Sequence, residues 1–158
     1  AMVIIRKSVA QDCNQGIGRY LRYNIQADKG SMFNTPPVFP IYMVGKVLKW
    51  MRDIGGIDVI ERMANEKAAD LYQSIDNSEG FYRCPVEEDS RSVMNVVFRL
   101  PSEDLEKIFI SEASEAGLLN LKGHRSVGGI RASIYNAMPA DGVRALTDFM
   151  AAFKSSHS

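Results

Sequence analysis

The chain has 158 residues, 46% hydrophobic and 24% charged, which fits one packed domain, or one with part of another, and excludes a disordered polar chain. Nineteen basic and nineteen acidic residues cancel, so no global basic field favours nucleic acid, and no polybasic arm or acidic tail is present. No apolar run approaches the ~20 residues of a membrane-spanning helix.

Met2-Val3-Ile4-Ile5-Arg6-Lys7 reads as a β-strand that begins abruptly, which fits a chain cut from something longer and equally a domain that simply begins with a strand. Gly16 and Gly18 in "NQGIGRYLRYN" are not a dinucleotide fingerprint, since the third glycine is missing and no apolar strand leads into them; they read as a turn. "ADKGSMFNTPP" is rich in turn residues, and Pro36-Pro37 pushes Thr35 and Pro36 towards extended geometry. Ile41, Val44, Val47, Leu48 and Met51 then recur at helical spacing until Gly55-Gly56 stops the helix. A second helix carries Ile60, Met63, Ala64, Leu71 and Ile75 and ends near Asp76-Asn77. The glycine pair is the candidate hinge, dividing residues 1–54 from residues 55–158.

"FYRCP" reads as a short strand and "SVMNVVFRL" as a stronger, valine-rich one. Ser102 is a good N-cap, with Glu103 and Asp104 placed to favour the helix dipole. Leu105, Ile108, Phe109, Ala113 and Ala116 form that helix's buried stripe, and Gly117 ends it. "LLNLKG" and "GIRASIYN" read as two further strands, and the last helix uses Val143, Leu146, Phe149, Met150 and Phe153. From residue 55 the order is helix, strand, strand, helix, strand, strand, helix. This is an α/β arrangement: a small mixed or antiparallel sheet with helices on one face.

The chemistry concentrates in "GHRSVGGIRASIYNAMP", residues 123–139, which places His124, Arg125 and Arg131 around Gly128-Gly129. If Ile130, Ala132 and Ile134 face the helices, Arg131 stands on the open face with Ser133 and Tyr135, where a guanidinium can grip a carboxylate with two hydrogen bonds. With His124 and Arg125 on the loop entering that strand, the three could surround a doubly anionic ligand, a phosphate on one side and a carboxylate on the other. The same pattern also fits a solvated turn. Asn34-Thr35, in a loop before a helix, fits either a phosphate contact or an ordinary turn and cap.

No nucleophile–base pair stands out, and no two carboxylates share the company expected of an acid–base pair. Cys13 and Cys84, without a secretory signal, read as reduced thiols, and with His124 and His157 at no ligand spacing they make no zinc site. From the residues alone the chain offers anion-binding groups and no catalyst.

"GSMFNTPP", "IDNS", "MNVVFRL", "GLLNLKGHRSVGGIRASIYNAMP" and "GVRALTDFM" together resemble the C-terminal part of the phosphoserine aminotransferase family. That family uses pyridoxal 5'-phosphate and has the aspartate-aminotransferase-like fold (fold type I). The resemblance implies that residues 1–54 are the tail of a large cofactor domain with its connecting helix, and residues 55–158 the small C-terminal α/β domain. It implies that Asn34 and Thr35 reach the cofactor phosphate of the neighbouring subunit in a homodimer. His124 and Arg125 would sit at the substrate's phosphate end, and Arg131 would hold its α-carboxylate. The implied reaction moves an amino group between glutamate and 3-phosphooxypyruvate in serine biosynthesis, with a related phosphohydroxythreonine reaction in pyridoxine synthesis, in the cytoplasm. The family's Schiff-base lysine falls before residue 1, and Lys7, Lys29 and Lys122 do not match its motif. The expectation is therefore a fragment that is inactive and binds no cofactor by itself. The alternative is a freestanding, non-catalytic α/β anion-binding or interaction module.

Overall fold

The structure is a computed structural model that describes residues 2–157. Its contacts divide the chain into two compact units, Ala1–Trp50 and Met51–Ser158.

In the first unit, Met2–Arg6 forms no regular element, in place of the expected strand. A strand needs a neighbour to satisfy its backbone groups, and none of the described residues pairs with it. The chain instead turns into α1 (Lys7–Gln11), which packs against α2 (Tyr23–Asp28). Helix α3 (Val38–Asp53) follows the Pro36-Pro37 pair, and none of its residues is buried. Its exit is set by two glycines at positive φ, Gly55 at 118° and Gly56 at 83°. Gly55 N–H donates to Arg52 O and Gly56 N–H to Met51 O, the paired bonds of a Schellman cap.

The second unit holds the core. Helix α4 (Ile57–Asp76) buries Ile60, Ala64, Ala68, Leu71 and Ile75, a stripe with a period of three to four. Strand β1 (Asn95–Phe98) pairs antiparallel with β2 (Ile130–Ser133), setting Val96 opposite Ala132 and Phe98 opposite Ile130. All four are buried on one face of this two-stranded sheet. Helices α5 (Glu103–Glu115) and α6 (Ala140–His157) cover that face with α4. Phe109 of α5 meets Phe98, Phe149 and Phe153 at ring distances of 5.8, 5.1 and 5.0 Å, mostly edge to face. Full burial of each such side chain contributes about 1.5–3 kcal/mol.

"FYRCP" and "LLNLKG" shrink to single bridges, Arg83 with Arg99 and Lys122 with Ile130, one on each edge of the sheet. Pro85 has no N–H to extend the first, and the left-handed Asn120 (φ 62°) breaks the path into the second. Helix α5 starts as its sequence requires: the Ser102 hydroxyl accepts from Leu105 N–H at 3.2 Å.

Candidate functional site

The loop between the Lys122 bridge and β2 is closed by its own backbone. Gly123 N–H donates to Gly129 O at 2.8 Å, while Val127 and Gly128 N–H both donate to His124 O. Gly128 and Gly129 take φ of 75° and 71°, a region that side chains rarely adopt. A Cβ on Gly123 would lie 2.0 Å from Gly128 O, so only glycine fits there. Arg99, just beyond β1, fastens the loop from outside. Its Nη1 donates to Val127 O at 3.0 Å, and its Nε donates at 2.6 Å to the largely buried Glu106. Glu106 in turn accepts from Leu100 N–H.

This frame presents His124 and Arg125 to solvent. The His124 ring is oriented by a 2.6 Å hydrogen bond between Nδ1 and the Ser126 hydroxyl. Both residues line a cleft of about 340 Å³ that also takes in Arg99, Lys107 and Lys122. Four cationic side chains and an imidazole gather there beside Glu103 and Glu106. Such a cleft suits an anion with several oxygen atoms.

Arg131 stands elsewhere. The alternation along β2 buries Ile130 and Ala132 and turns Arg131 and Ser133 to the open face, as the sequence pattern indicates. Arg131 lies opposite Val97, and the Ser133 and Tyr135 hydroxyls both donate to Asn95 Oδ1 at 3.2 Å. The Arg131 Nε is buried yet has no hydrogen-bond partner among the described residues. A buried guanidinium N–H without an acceptor is costly, and an incoming carboxylate would supply one. Arg131 lines a second cleft of about 400 Å³ with Leu119, Leu121, Ser133, Ile134 and Met138. His124 and Arg125 thus border one cleft and Arg131 another. In the first unit, Asn34 and Thr35 are exposed on the loop before α3, offering an amide and a hydroxyl.

Lys67 was not singled out by its sequence position. It lies 3% exposed on the buried stripe of α4, and its Nζ donates to Ile134 O, Tyr135 O and Met138 O at 3.0, 2.7 and 2.8 Å. Burial lowers its pKa from the ordinary lysine value. The available signal was a lysine sitting in register with Ala64, Leu71 and Ile75.

The chain thus places guanidinium groups on the open face of a sheet and on a glycine-closed loop, where they could hold a small anion. The chain belongs to the class-V aminotransferase family, whose model matches residues 3–146. Its relatives narrow the comparison. Phosphoserine aminotransferase of Laribacter hongkongensis is 54% identical over 99% of this chain and 44% of its own length. That of Lysinibacillus sphaericus is 49% identical over 99% of this chain and 43% of its own length. Among solved structures, phosphoserine aminotransferase from Bacillus circulans subsp. alkalophilus superposes with a TM-score of 0.94 at 46% identity, covering 98% of this chain and 43% of that one. A PLP-bound phosphoserine aminotransferase from Trichomonas vaginalis gives a TM-score of 0.81 at 35% identity, over 87% and 39% of the two chains. The fold is that of the C-terminal portion of these enzymes. The chain spans less than half the length of these relatives.

Proposed function

We propose that this chain is the substrate-gripping part of a phosphoserine aminotransferase, which moves an amino group between glutamate and 3-phosphooxypyruvate to give O-phosphoserine and 2-oxoglutarate. The observation that carries the reading is Arg131: a guanidinium held on a short strand, on the sheet's open face, with a buried N–H awaiting an acceptor. In this reading it binds the α-carboxylate, which glutamate and phosphoserine share. His124 and Arg125 bind the phosphate end, which only the phosphorylated substrate has.

Pyridoxal 5'-phosphate, when bound, supplies the electron sink for the amino transfer. Asn34 and Thr35 fit its phosphate as neutral donors, being exposed on the loop ahead of the α3 N-terminus. They serve the cofactor of a neighbouring subunit in a homodimer, and the enzyme works in the cytoplasm, in serine biosynthesis and in pyridoxine biosynthesis. Residues 1–54 belong to the large domain of such an enzyme and residues 55–158 to its small domain. In this reading the Schiff-base lysine lies outside this chain, and the chain alone has no turnover.

Two measurements test this. In the full-length enzyme carrying this segment, Arg131→Ala lowers kcat/KM for both glutamate and phosphoserine, by about 2–5 kcal/mol of transition-state binding. Unchanged kinetics for either would end the carboxylate role. The purified chain mixed with pyridoxal 5'-phosphate and glutamate gives neither visible absorbance of a lysine adduct nor 2-oxoglutarate, and a clear signal in either would refute its inactivity.

A further inference from the structure

Strand β2 ends at Ser133, and the chain beyond it leaves the sheet at once. Ile134 N–H still reaches Met94 O, but the carbonyls that follow have no ladder to join. Three of them, on Ile134, Tyr135 and Met138, converge instead on the Lys67 ammonium. An ammonium has three N–H groups, and all three are used. Tyr135 O also accepts from Met138 N–H, so the turn is closed once by itself and again by Lys67. Two of the residues so held, Ile134 and Met138, line the same cleft as Arg131. The third, Tyr135, sends its hydroxyl to Asn95 on the open face that bears Arg131.

We propose that Lys67 is a positioning residue for the substrate carboxylate. Its ammonium pins the turn after β2, whose Ile134 and Met138 border a cleft that Arg131 also borders and whose Tyr135 hydroxyl lies on the open face, and so fixes where a carboxylate can sit against the guanidinium. The inference rests on the reading of Arg131 as the carboxylate-binding residue. An apolar residue in the α4 stripe would take the ammonium from all three carbonyls, leaving the turn closed only by Met138 N–H on Tyr135 O, while the sheet that carries Arg131 stays paired through β1. The grip on substrate would then loosen although the guanidinium remains in place.

The experiment is a double-mutant cycle in the full-length enzyme carrying this segment, with Lys67→Met, Arg131→Ala and the pair. Should Lys67→Met not fold, Lys67→Gln, which keeps an N–H donor, replaces it. Lys67→Met is expected to raise KM for glutamate about tenfold with kcat far less changed, and to add little once Arg131 is already alanine. A merely structural lysine behaves otherwise: its loss cuts the fraction of active enzyme, leaves KM alone, and multiplies with the Arg131 effect. That pattern overturns the inference while leaving the Arg131 reading intact. If Arg131→Ala itself leaves KM and kcat unchanged, both fall.

Discussion

Gly123 is the tightest point of the loop that carries His124 and Arg125. A side chain there must displace the carbonyls of Gly128 and Gly129, which lie 2.0 and 2.7 Å from where its Cβ would sit. Both carbonyls are backbone, so neither can swing aside as a flexible side chain would. Gly123→Ala should therefore open the bond between Gly123 N–H and Gly129 O and cost about 1–3 kcal/mol, the scale of an overpacked site. Gly128→Ala meets nothing nearer than 3.5 Å and bears only the left-handed φ, about 1 kcal/mol. Urea unfolding of the two variants should rank them in that order, and equal midpoints would show that the loop relaxes freely. At this scale the sequence was informative where one period governs. Alternation along β2 was enough to place Arg131 on the open face. It could not reveal that Arg99, 28 residues before Val127, clamps the loop, nor that Lys67 reaches residues 67 to 71 positions away. Those contacts exist only once the helices and the sheet have packed.

The four long helices were legible because each carries its own stripe and its own end signals. The Ser102 cap and the Gly55-Gly56 stop appear as real hydrogen bonds. Strands depend on partners, so their extent was less readable, and two of them shrink to single bridges. Tyr82, beside one of these bridges, shows how a weak edge is tied down. Its ring packs on Phe98 at 5.5 Å, and its buried hydroxyl donates to Met150 O of α6 at 2.9 Å. Burial raises its pKa well above the ordinary tyrosine value. The folded state thus holds this proton at pH values where the unfolded chain has released it. The contribution is complete below about pH 10 and declines as pH rises further, by up to about 1.4 kcal/mol per pH unit. Tyr82→Phe should cost about 0.5–1.5 kcal/mol at neutral pH through the lost hydrogen bond. It should also flatten the alkaline loss of stability, although Tyr72, whose pKa is raised by burial and then by the charge of Cys84, retains a share. Denaturation at about pH 8 and about pH 11 tests this, and a stability gap equal at both would refute it.

The two units differ most in what they bury. The second has a closed core of aromatic and aliphatic side chains. Among the described residues of the first, only Ala10 is buried. Helix α3 shows why its periodicity alone misleads: its apolar stripe implies a partner, yet Ile41, Val44, Val47 and Leu48 are between 42% and 58% exposed. Val38 and Phe39 are more exposed still. Since these side chains are already about half covered, burying the rest of six of them would yield about half of the 1.5–3 kcal/mol of a full burial each, roughly 4.5–9 kcal/mol per chain and roughly 9–18 kcal/mol for a symmetric pair. Association costs about 4–15 kcal/mol in lost freedom, so the balance favours self-association of the isolated chain at accessible concentrations. Sedimentation equilibrium should show a weight-average mass that rises with concentration from the 17.6 kDa monomer. Placing charges at Ile41 and Leu48 should return the monomer without unfolding the second unit, since none of the α3 residues belongs to its core. In a full-length protein where residues 1–54 pack within a larger domain, the same substitutions should be more damaging, because that domain would cover this surface. A chain that stays monomeric at all concentrations, with residues 8–30 well ordered by hydrogen exchange, would show that the first unit needs no cover and would count against its assignment to a larger domain.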